Sequence, residues 1–462
     1  MARVKYLTSG SPMKLILGFS LPLLFGFAFQ QLYSFVDAAI VGRFLGASAL
    51  AAVGSTGSLN FLIIGFCAGI CSGFAIPIAQ TFGANDQKSM RAYVTHSIYL
   101  SAVVSVVLAV VTALLTPQML RWMNTPEEIL DDAIAYIQLI FAAMPVTVLY
   151  NLSGGILRSL GDSKTPVIYL ALASVINIVL DLVFILYFGM GVAGAAWATI
   201  ISQLVSGVGC VLTMKRRFPI LKLEREDFSY RPRLASKLLG IGVPMGLQYS
   251  ITAIGSVIVQ VAINGLGTTA VAAVTAAGKI SMFYCCMFDA LATTMATYAG
   301  QNIGAKKLQR VHEGLRAASI IGIVYCLVAL LTIWLFGRQL MSLFVDQAST
   351  ALMDEAFHYL FINGIFYIPL LFVNIVRLSI QGMGYTRLAI FAGVFEMVAR
   401  TLVAVAFVPT FGFEAACYAN PVAWIFADAF LIPGYYHVLK QLKYRLYPAG
   451  VETDPANVGA LE

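Results

Sequence analysis

Long apolar runs follow one another along the whole 462-residue chain and are separated only by short polar segments. A helix needs about 20 consecutive apolar residues to cross the hydrocarbon core of a bilayer. Twelve such runs are present, and 60% of the residues are hydrophobic while 11% are charged. This composition excludes an ordinary soluble globular protein. The sequence therefore predicts an all-α integral membrane protein with twelve transmembrane helices.

The runs are continuous, which favours helices over the alternating strands of a membrane β-barrel. We number the spans in chain order. They are predicted near residues 14–40, 51–81, 92–116, 130–155, 165–188, 192–214, 236–262, 270–300, 311–336, 355–380, 386–409 and 414–439.

Lysine and arginine are distributed unevenly between the two sides of the predicted membrane. The segments on one side carry 24 of the 29 basic residues, and those on the other side carry only Arg43, Arg121 and Arg338. Basic loops are retained in the cytoplasm. We therefore expect a multi-pass protein of the cell membrane with both termini cytoplasmic. The net charge of +7 follows from this topology and does not indicate a nucleic-acid partner.

The second half of the chain repeats the first. LGASALAAVGSTG, from Leu45, matches LGTTAVAAVTAAG, from Leu266, at an offset of 221 residues. QTFGA, from Gln80, matches QNIGA, from Gln301, at the same offset. The chain is therefore a duplication of a six-span unit.

Six is an even number, so both units enter the membrane in the same direction. This predicts two six-helix bundles related by a pseudo-two-fold axis along the membrane normal. The N-terminal lobe would span residues 1–215, a basic cytoplasmic linker residues 216–235, and the C-terminal lobe with a short cytoplasmic tail residues 236–462. Such a duplication is common among transporters that alternate access to a midplane site.

Two carboxylates lie well inside the apolar runs of the first half, Asp37 in the first span and Asp181 in the fifth. At 1.5 Å per residue, both lie roughly 9 to 12 Å below the predicted outer surface, as does Thr199 in the sixth span. Asn177 lies one turn deeper than Asp181 on the same helix face. These four oxygen-bearing side chains could therefore converge.

A carboxylate at a bilayer centre costs roughly 2.5 to 3.5 kcal/mol, so the pair needs compensation. The basic residues of the first half lie at span ends, which leaves a cation from solution as the counter-charge. Hard oxygen ligands suit an alkali cation, and protons compete for carboxylates. We interpret the cluster as a Na⁺ or H⁺ coupling site. The alternative is that these groups bond only to one another and tie helices together.

The first span has a polar face of its own. Gln30, Ser34 and Asp37 follow an i, i+4, i+7 spacing, which places them on one side of a helix. Pro22 leaves a backbone carbonyl without its helical partner, so the span could bend there.

The sequence resembles the multidrug and toxic compound extrusion (MATE) family of secondary antiporters. The resemblance is most specific in QQLYSFVDAAIVGRFLGASALAAVG and in the NxxxD pair of the fifth span. It implies a fold of two six-helix bundles. It also implies an activity, the export of diverse, often cationic, organic compounds in exchange for Na⁺ or H⁺. It places the family's cation-binding residues on Asp37, Asn177, Asp181 and Thr199, and its hinge proline on Pro22.

One branch of that family has a glutamate in the seventh span and an aspartate in the tenth. Here the seventh span has no carboxylate, and the tenth offers Arg377 and Gln381. The resemblance therefore favours the branch whose cation site lies in the N-terminal lobe. Glu396 and Arg400 are four residues apart and are expected to pair. The sequence assigns no role to Lys279 or Asp428.

Mixed aromatic, methionine and acidic surfaces suit promiscuous capture of lipophilic cations. For each aromatic or methionine, the alternative is lipid contact or core packing. We expect small-molecule substrates, contact with membrane lipid, no cofactor beyond the coupling ion, and a monomer. The candidate substrate-binding residues are Gln30, Tyr33, Ser34, Tyr150, Asn151, Met287 and Asp289.

Three other functions compete with this interpretation. A lipid-linked glycan flippase of the same superfamily would tend to present several cationic residues to pyrophosphate, whereas the first-half spans carry carboxylates. A major facilitator is disfavoured because FGANDQKSMRAYV lacks that family's glycine, aspartate and paired-arginine pattern. A membrane enzyme is disfavoured because the four histidines lie near span ends without ligand spacing, and no HExxH, GxSxG or P-loop motif is present.

Overall fold

The structure, a computed structural model, describes residues 6–343 and 350–447. Within these ranges the chain is almost entirely helical and contains no β-strand. The helices are α1 (Pro12–Phe44), α2 (Ala47–Ser55), α3 (Gly57–Gly83), α4 (Gln87–Trp122), α5 (Glu127–Ala142), α6 (Met144–Ser159), α7 (Lys164–Leu182), α8 (Val192–Arg217), α9 (Pro232–Asn264), α10 (Thr268–Gly304), α11 (Leu308–Met341), α12 (Thr350–Ile365), α13 (Tyr367–Gly382), α14 (Thr386–Leu402), α15 (Val408–Phe411) and α16 (Phe413–Leu446).

Every predicted span coincides with a helical stretch in the described residues. Ten stretches are long and apolar enough to cross a membrane as they stand. The fourth and tenth spans are instead bent pairs, α5 with α6 at 48° and α12 with α13 at 51°. Pro145 and Pro369 lie in the first turn after each break, where a proline has no N–H to continue the preceding helix. The two spans are therefore broken rather than straight.

The helices cluster into two compact units. The first unit contains Phe25–Ser250, and the second contains Leu7–Leu24 and the described residues from Ile251 onward. The unit boundaries thus fall inside α1 and α9. The lobe boundaries predicted at 1–215 and 236–462 stay a prediction.

The two halves of the chain repeat the same backbone conformation at matched positions. Each half has a left-handed turn before its second long span, after that span, before its fifth span and before its sixth span. The pairs are Gly46 and Gly267 (φ 90° and 104°), Asn85 and Lys306 (58° and 57°), Gly161 and Gly384 (86° and 97°), and Gly189 and Gly412 (63° and 61°). The internal duplication is therefore a repeat of structure as well as of sequence.

In the first unit, α3 and α9 cross with their backbones in contact. A Cβ atom on Gly73 would lie 2.5 Å from Gly242 Cα, and one on Gly69 would lie 2.7 Å from the Met245 carbonyl oxygen. Gly242 is followed four residues later by Gly246, so both helices carry a GxxxG pair at the crossing. Small residues at this spacing allow two membrane helices to approach closely.

Candidate cation site

Three helices of the first unit bring the four predicted cation-site residues together. Asp37 comes from α1, Asn177 and Asp181 from α7, and Thr199 from α8. All four are buried: the exposed fraction is 8% for Asp37, 0% for Asn177 and Asp181, and 7% for Thr199. The sequence placed these residues at similar depth, and in the structure their side chains interact.

The carboxyl groups of Asp37 and Asp181 lie within hydrogen-bonding reach of each other. A hydrogen bond between them needs one proton, since two ionised carboxylates are both acceptors. Asp37 Oδ1 and Asp181 Oδ1 are buried and have no hydrogen-bond partner among the described residues. Two buried oxygens are therefore available to a cation.

Asn177 connects the carboxylate on its own helix to α8. In one amide orientation its Nδ2 donates to Thr199 Oγ1 at 3.3 Å. In the other, Nδ2 donates to Asp181 Oδ2 at 3.1 Å while the amide oxygen accepts from the Thr199 backbone N–H at 3.2 Å. We assign the second orientation because it satisfies both ends of the amide. Asn177 then orients Asp181 and joins α7 to the backbone of α8.

Two tyrosines surround the carboxyl pair. The Tyr33 hydroxyl hydrogen-bonds to the Thr199 side chain and interacts electrostatically with both aspartates. Tyr136, on α5, is buried and interacts with the same two aspartates and with Tyr33. Tyr33 therefore belongs to the polar network around the two aspartates, and its predicted contact with substrate stays a prediction. Tyr136 was missed because a lone tyrosine in an apolar span carries no distinguishing spacing.

The helix geometry changes directly after Asp181. Residues Val183–Tyr187 form a π-helical turn that continues α7. π-helical turns occur as single turns in α-helices, frequently at functional sites. A matching turn, Val403–Phe407, follows α14 in the second half. The π-helical turn is therefore part of the repeated fold. In the first copy it begins two residues after Asp181, whereas the second copy has no carboxylate at the matching position.

Within the described residues, no basic side chain forms an ion pair with Asp37 or Asp181. The interactions of the two carboxyls are with each other, Asn177 and the neighbouring tyrosines. The carboxyl pair therefore has no resident counter-charge among the described residues.

The candidate substrate residues have varied surroundings. Gln30 and Ser34 are exposed on α1, and Ser34 Oγ donates to the Gln30 carbonyl at 3.0 Å. Tyr150 and Asn151, on α6, are half-buried, and Asn151 Nδ2 donates to the Thr147 carbonyl at 2.9 Å. Their contact with substrate stays a prediction.

Two further candidates for substrate contact lie on α10 in the second unit. Met287 is buried, and the side chain of Asp289 is accessible to solvent. Pro22, the predicted hinge, lies inside α1, which is an uninterrupted helix from Pro12 to Phe44. The roles of all three residues stay predictions.

The second unit contains a buried charge cluster of a different kind. Glu396 accepts a hydrogen bond from Arg377 Nη2, and its Oε2 lies 3.4 Å from Arg400 Nη1. Asp428 interacts electrostatically with Arg377. The predicted pairing of Glu396 with Arg400 is present, and Arg377 joins it from another span. This cluster contains its own counter-charges, unlike the carboxyl pair of the first unit.

A model of the MatE family matches the chain in two segments, residues 22–183 and 244–406. The chain belongs to the MATE family. The two matched segments correspond to the two halves of the duplication. Members of the family are transporters, so this MATE protein is a transporter and not an enzyme.

Relatives support the same conclusion. The chain is 33% identical over 339 residues, or 72% of its length, to the probable multidrug resistance protein YoeA of Bacillus subtilis, of which the match covers 73%. It is 26% identical over 72% of its length to the FAD transporter of Shewanella oneidensis, of which 74% is covered.

The fold matches solved structures of MATE transporters. One, described as the outward-facing conformation of a multidrug resistance MATE family transporter, is 26% identical, with a TM-score of 0.89 and coverage of 96% of this chain and 99% of that one. The protein therefore has the MATE fold of twelve transmembrane helices in two bundles. The names of these relatives indicate that proteins with this fold transport small molecules across a membrane.

Proposed function

We propose that this MATE protein exports small organic molecules from the cytoplasm in exchange for Na⁺ or H⁺ that enters at the Asp37–Asp181 pair. The observation that carries the proposal is a carboxyl pair, buried in the first unit, with no basic partner among the described residues. Intramembrane carboxylates usually mark ion pathways or proton relays. The predicted cation site thus becomes the coupling site.

The ion must bind the outward-open and inward-open states with different affinity, since otherwise it shifts no equilibrium between them. A hydrogen bond between Asp37 and Asp181, which lie within reach of each other, would join α1 to α7. Replacing its proton by Na⁺, or adding a second proton, changes that connection. Pro22, inside α1, is the point at which we propose that the helix bends in response.

Relatives with multidrug names support organic substrates, and we propose lipophilic cations among them. The relative named as a FAD transporter carries a different kind of cargo. We further propose that the protein works as a monomer in the cell membrane with both termini cytoplasmic, as the distribution of basic residues predicts.

The test is uptake of a fluorescent organic cation into everted membrane vesicles, with a pH gradient and a Na⁺ gradient imposed separately. We expect uptake to follow one of the two gradients and to be lost in Asp37→Asn and Asp181→Asn. Asp131→Asn provides the matched control, because Asp131 is an exposed carboxylate on α5 of the same unit. Undiminished uptake in both site variants would refute the coupling role.

A lipid-linked glycan flippase is the alternative within the same superfamily. The two functions separate in reconstituted vesicles that contain a radiolabelled lipid-linked precursor. Export of an organic cation without translocation of the precursor supports the proposal. Translocation of the precursor with no ion-dependent cation transport would favour the flippase.

A further inference from the structure

The first unit contains a second charged group that the cation site does not use. Arg158 lies in the last turn of α6, on the membrane side that carries the basic loops. Its side chain is partly buried and partly exposed. The sequence placed it at a span end like the other basic residues of the first half. In the structure Arg158 is partly buried, whereas Lys164, at the start of α7, is exposed.

Arg158 has no carboxylate partner in the part of the chain that the structure describes. None of the ion pairs found there includes it. Asp162, four residues later, would be the natural partner for it. Its Oδ1 instead accepts from the backbone N–H groups of Lys164 and Thr165, both at 3.0 Å, and its Oδ2 from the Thr165 hydroxyl at 2.6 Å. Asp162 is therefore engaged at the start of α7.

Neutral groups surround the guanidinium instead. It interacts electrostatically with the hydroxyls of Tyr150 and Tyr249 and with the thiols of Cys71 and Cys210. Gly154 makes room for it, because a Cβ atom at that position would lie 3.3 Å from Arg158 Nη1. Phenols and thiols orient a ligand but do not neutralise a guanidinium.

A partly desolvated cation without a resident anion favours binding of one. Arginine presents a planar fork of donors that matches a carboxylate or a phosphate with two parallel hydrogen bonds. We propose that Arg158 binds an anionic group, carboxylate or phosphate, on the transported molecule. The inference rests on the proposed export function and extends it: substrates include molecules that carry an acidic group.

The test compares two dyes that differ only in their acidic group, on purified protein in nanodiscs of neutral lipid. Rhodamine 110 has a free carboxylate, and rhodamine 123 is its methyl ester. We expect wild-type protein to bind rhodamine 110 more tightly, and Arg158→Gln to weaken that binding by roughly 10- to 100-fold while leaving rhodamine 123 unchanged. Lys164→Gln removes a neighbouring exposed charge and should change neither affinity.

Arg158→Lys separates a role of Arg158 in ligand binding from a role in folding. It keeps the positive charge but lacks the planar guanidinium, so it should retain part of the preference for rhodamine 110. A repeat in nanodiscs with phosphatidylglycerol identifies the source of the anion: competition by this lipid would assign the subsite to a lipid phosphate and overturn substrate binding. Equal affinity of wild type for both dyes, or equal losses in Arg158→Gln, would also overturn it. No ion gradient is present, so failure of cation coupling would not affect the result.

Discussion

Removing the carboxylate charge of Glu396 should strongly destabilise the second unit. Arg377 and Arg400, which it bridges, are 6% and 5% exposed, and Glu396 itself is 3% exposed. In Glu396→Gln, Asp428 still interacts with Arg377, but the buried guanidinium of Arg400 loses the one acidic partner found for it among the described residues. Breaking a buried ion pair by removing one partner costs about 3–5 kcal/mol, because the other charge stays buried without compensation. We expect a loss of about that size.

The free energy of unfolding can be measured by titration with a denaturing detergent in mixed micelles. Asp354→Asn is the matched control, since it breaks the ion pair between Arg338 Nη2 and Asp354 Oδ1, 2.6 Å long but 61% and 59% exposed. Exposed pairs contribute about 0–1 kcal/mol. If Glu396→Gln were no more destabilising than this control, the cluster would not stabilise the unit as argued.

Two further predictions use the same unfolding measurement. Gly73→Ala should destabilise the protein by about 1–3 kcal/mol, because its Cβ atom would lie 2.5 Å from Gly242 Cα. Gly54→Ala is the control and should not destabilise it, because no atom lies within 4 Å of a Cβ at that position. Equal effects of the two substitutions would contradict the close crossing of α3 and α9. Asp86→Ala should cost about 1 kcal/mol at neutral pH, because Asp86 caps α4 through Ser89 N–H at 3.0 Å. The hydrogen bonds from Ser89 hold the pKa of Asp86 below its ordinary value, so this contribution is complete above pH about 4 and is lost as the pH falls below it. A cost that stays constant down to pH 2 would contradict this assignment.

Hydropathy alone predicted all twelve spans, because crossing a bilayer requires a long apolar run whatever the tertiary structure. It did not predict that the fourth and tenth spans are bent pairs. The length of an apolar run carries no information about a change of direction within it. The signal that could have found the bends was a proline near the middle of each run, Pro145 and Pro369.

The convergence of Asp37, Asn177, Asp181 and Thr199 was predictable because counting residues gives depth, and a carboxylate inside an apolar span is rare enough to be informative. Their binding of a cation stays a prediction. Depth does not specify which helices are neighbours. For that reason the contacts of Tyr33 and Tyr136 with the aspartates emerged only from the packing of α1, α5 and α7.

The two groups of charged residues outside the cation site show the same limit. The pairing of Glu396 with Arg400 followed from their i, i+4 spacing on one helix, whereas Arg377 joins from another helix, which no local spacing reveals. Arg158 was overlooked because its position at a span end suggested an exposed residue. Asp162, the nearest potential partner of Arg158, instead accepts hydrogen bonds from the backbone at the start of α7. This role could have been recognised from the DSKT sequence.

The central claim is that Asp37 and Asp181 obtain their counter-charge from solution, and cation binding by purified protein tests it most directly. Proton release on addition of Na⁺ can be followed with a pH-indicator dye in weakly buffered detergent solution, alongside equilibrium binding of ²²Na⁺. The account predicts that wild type and Asp131→Asn bind Na⁺ saturably, take up protons, or show competition between the two cations. The double variant Asp37→Asn/Asp181→Asn should show none of these. Unchanged cation binding by a folded double variant would contradict it.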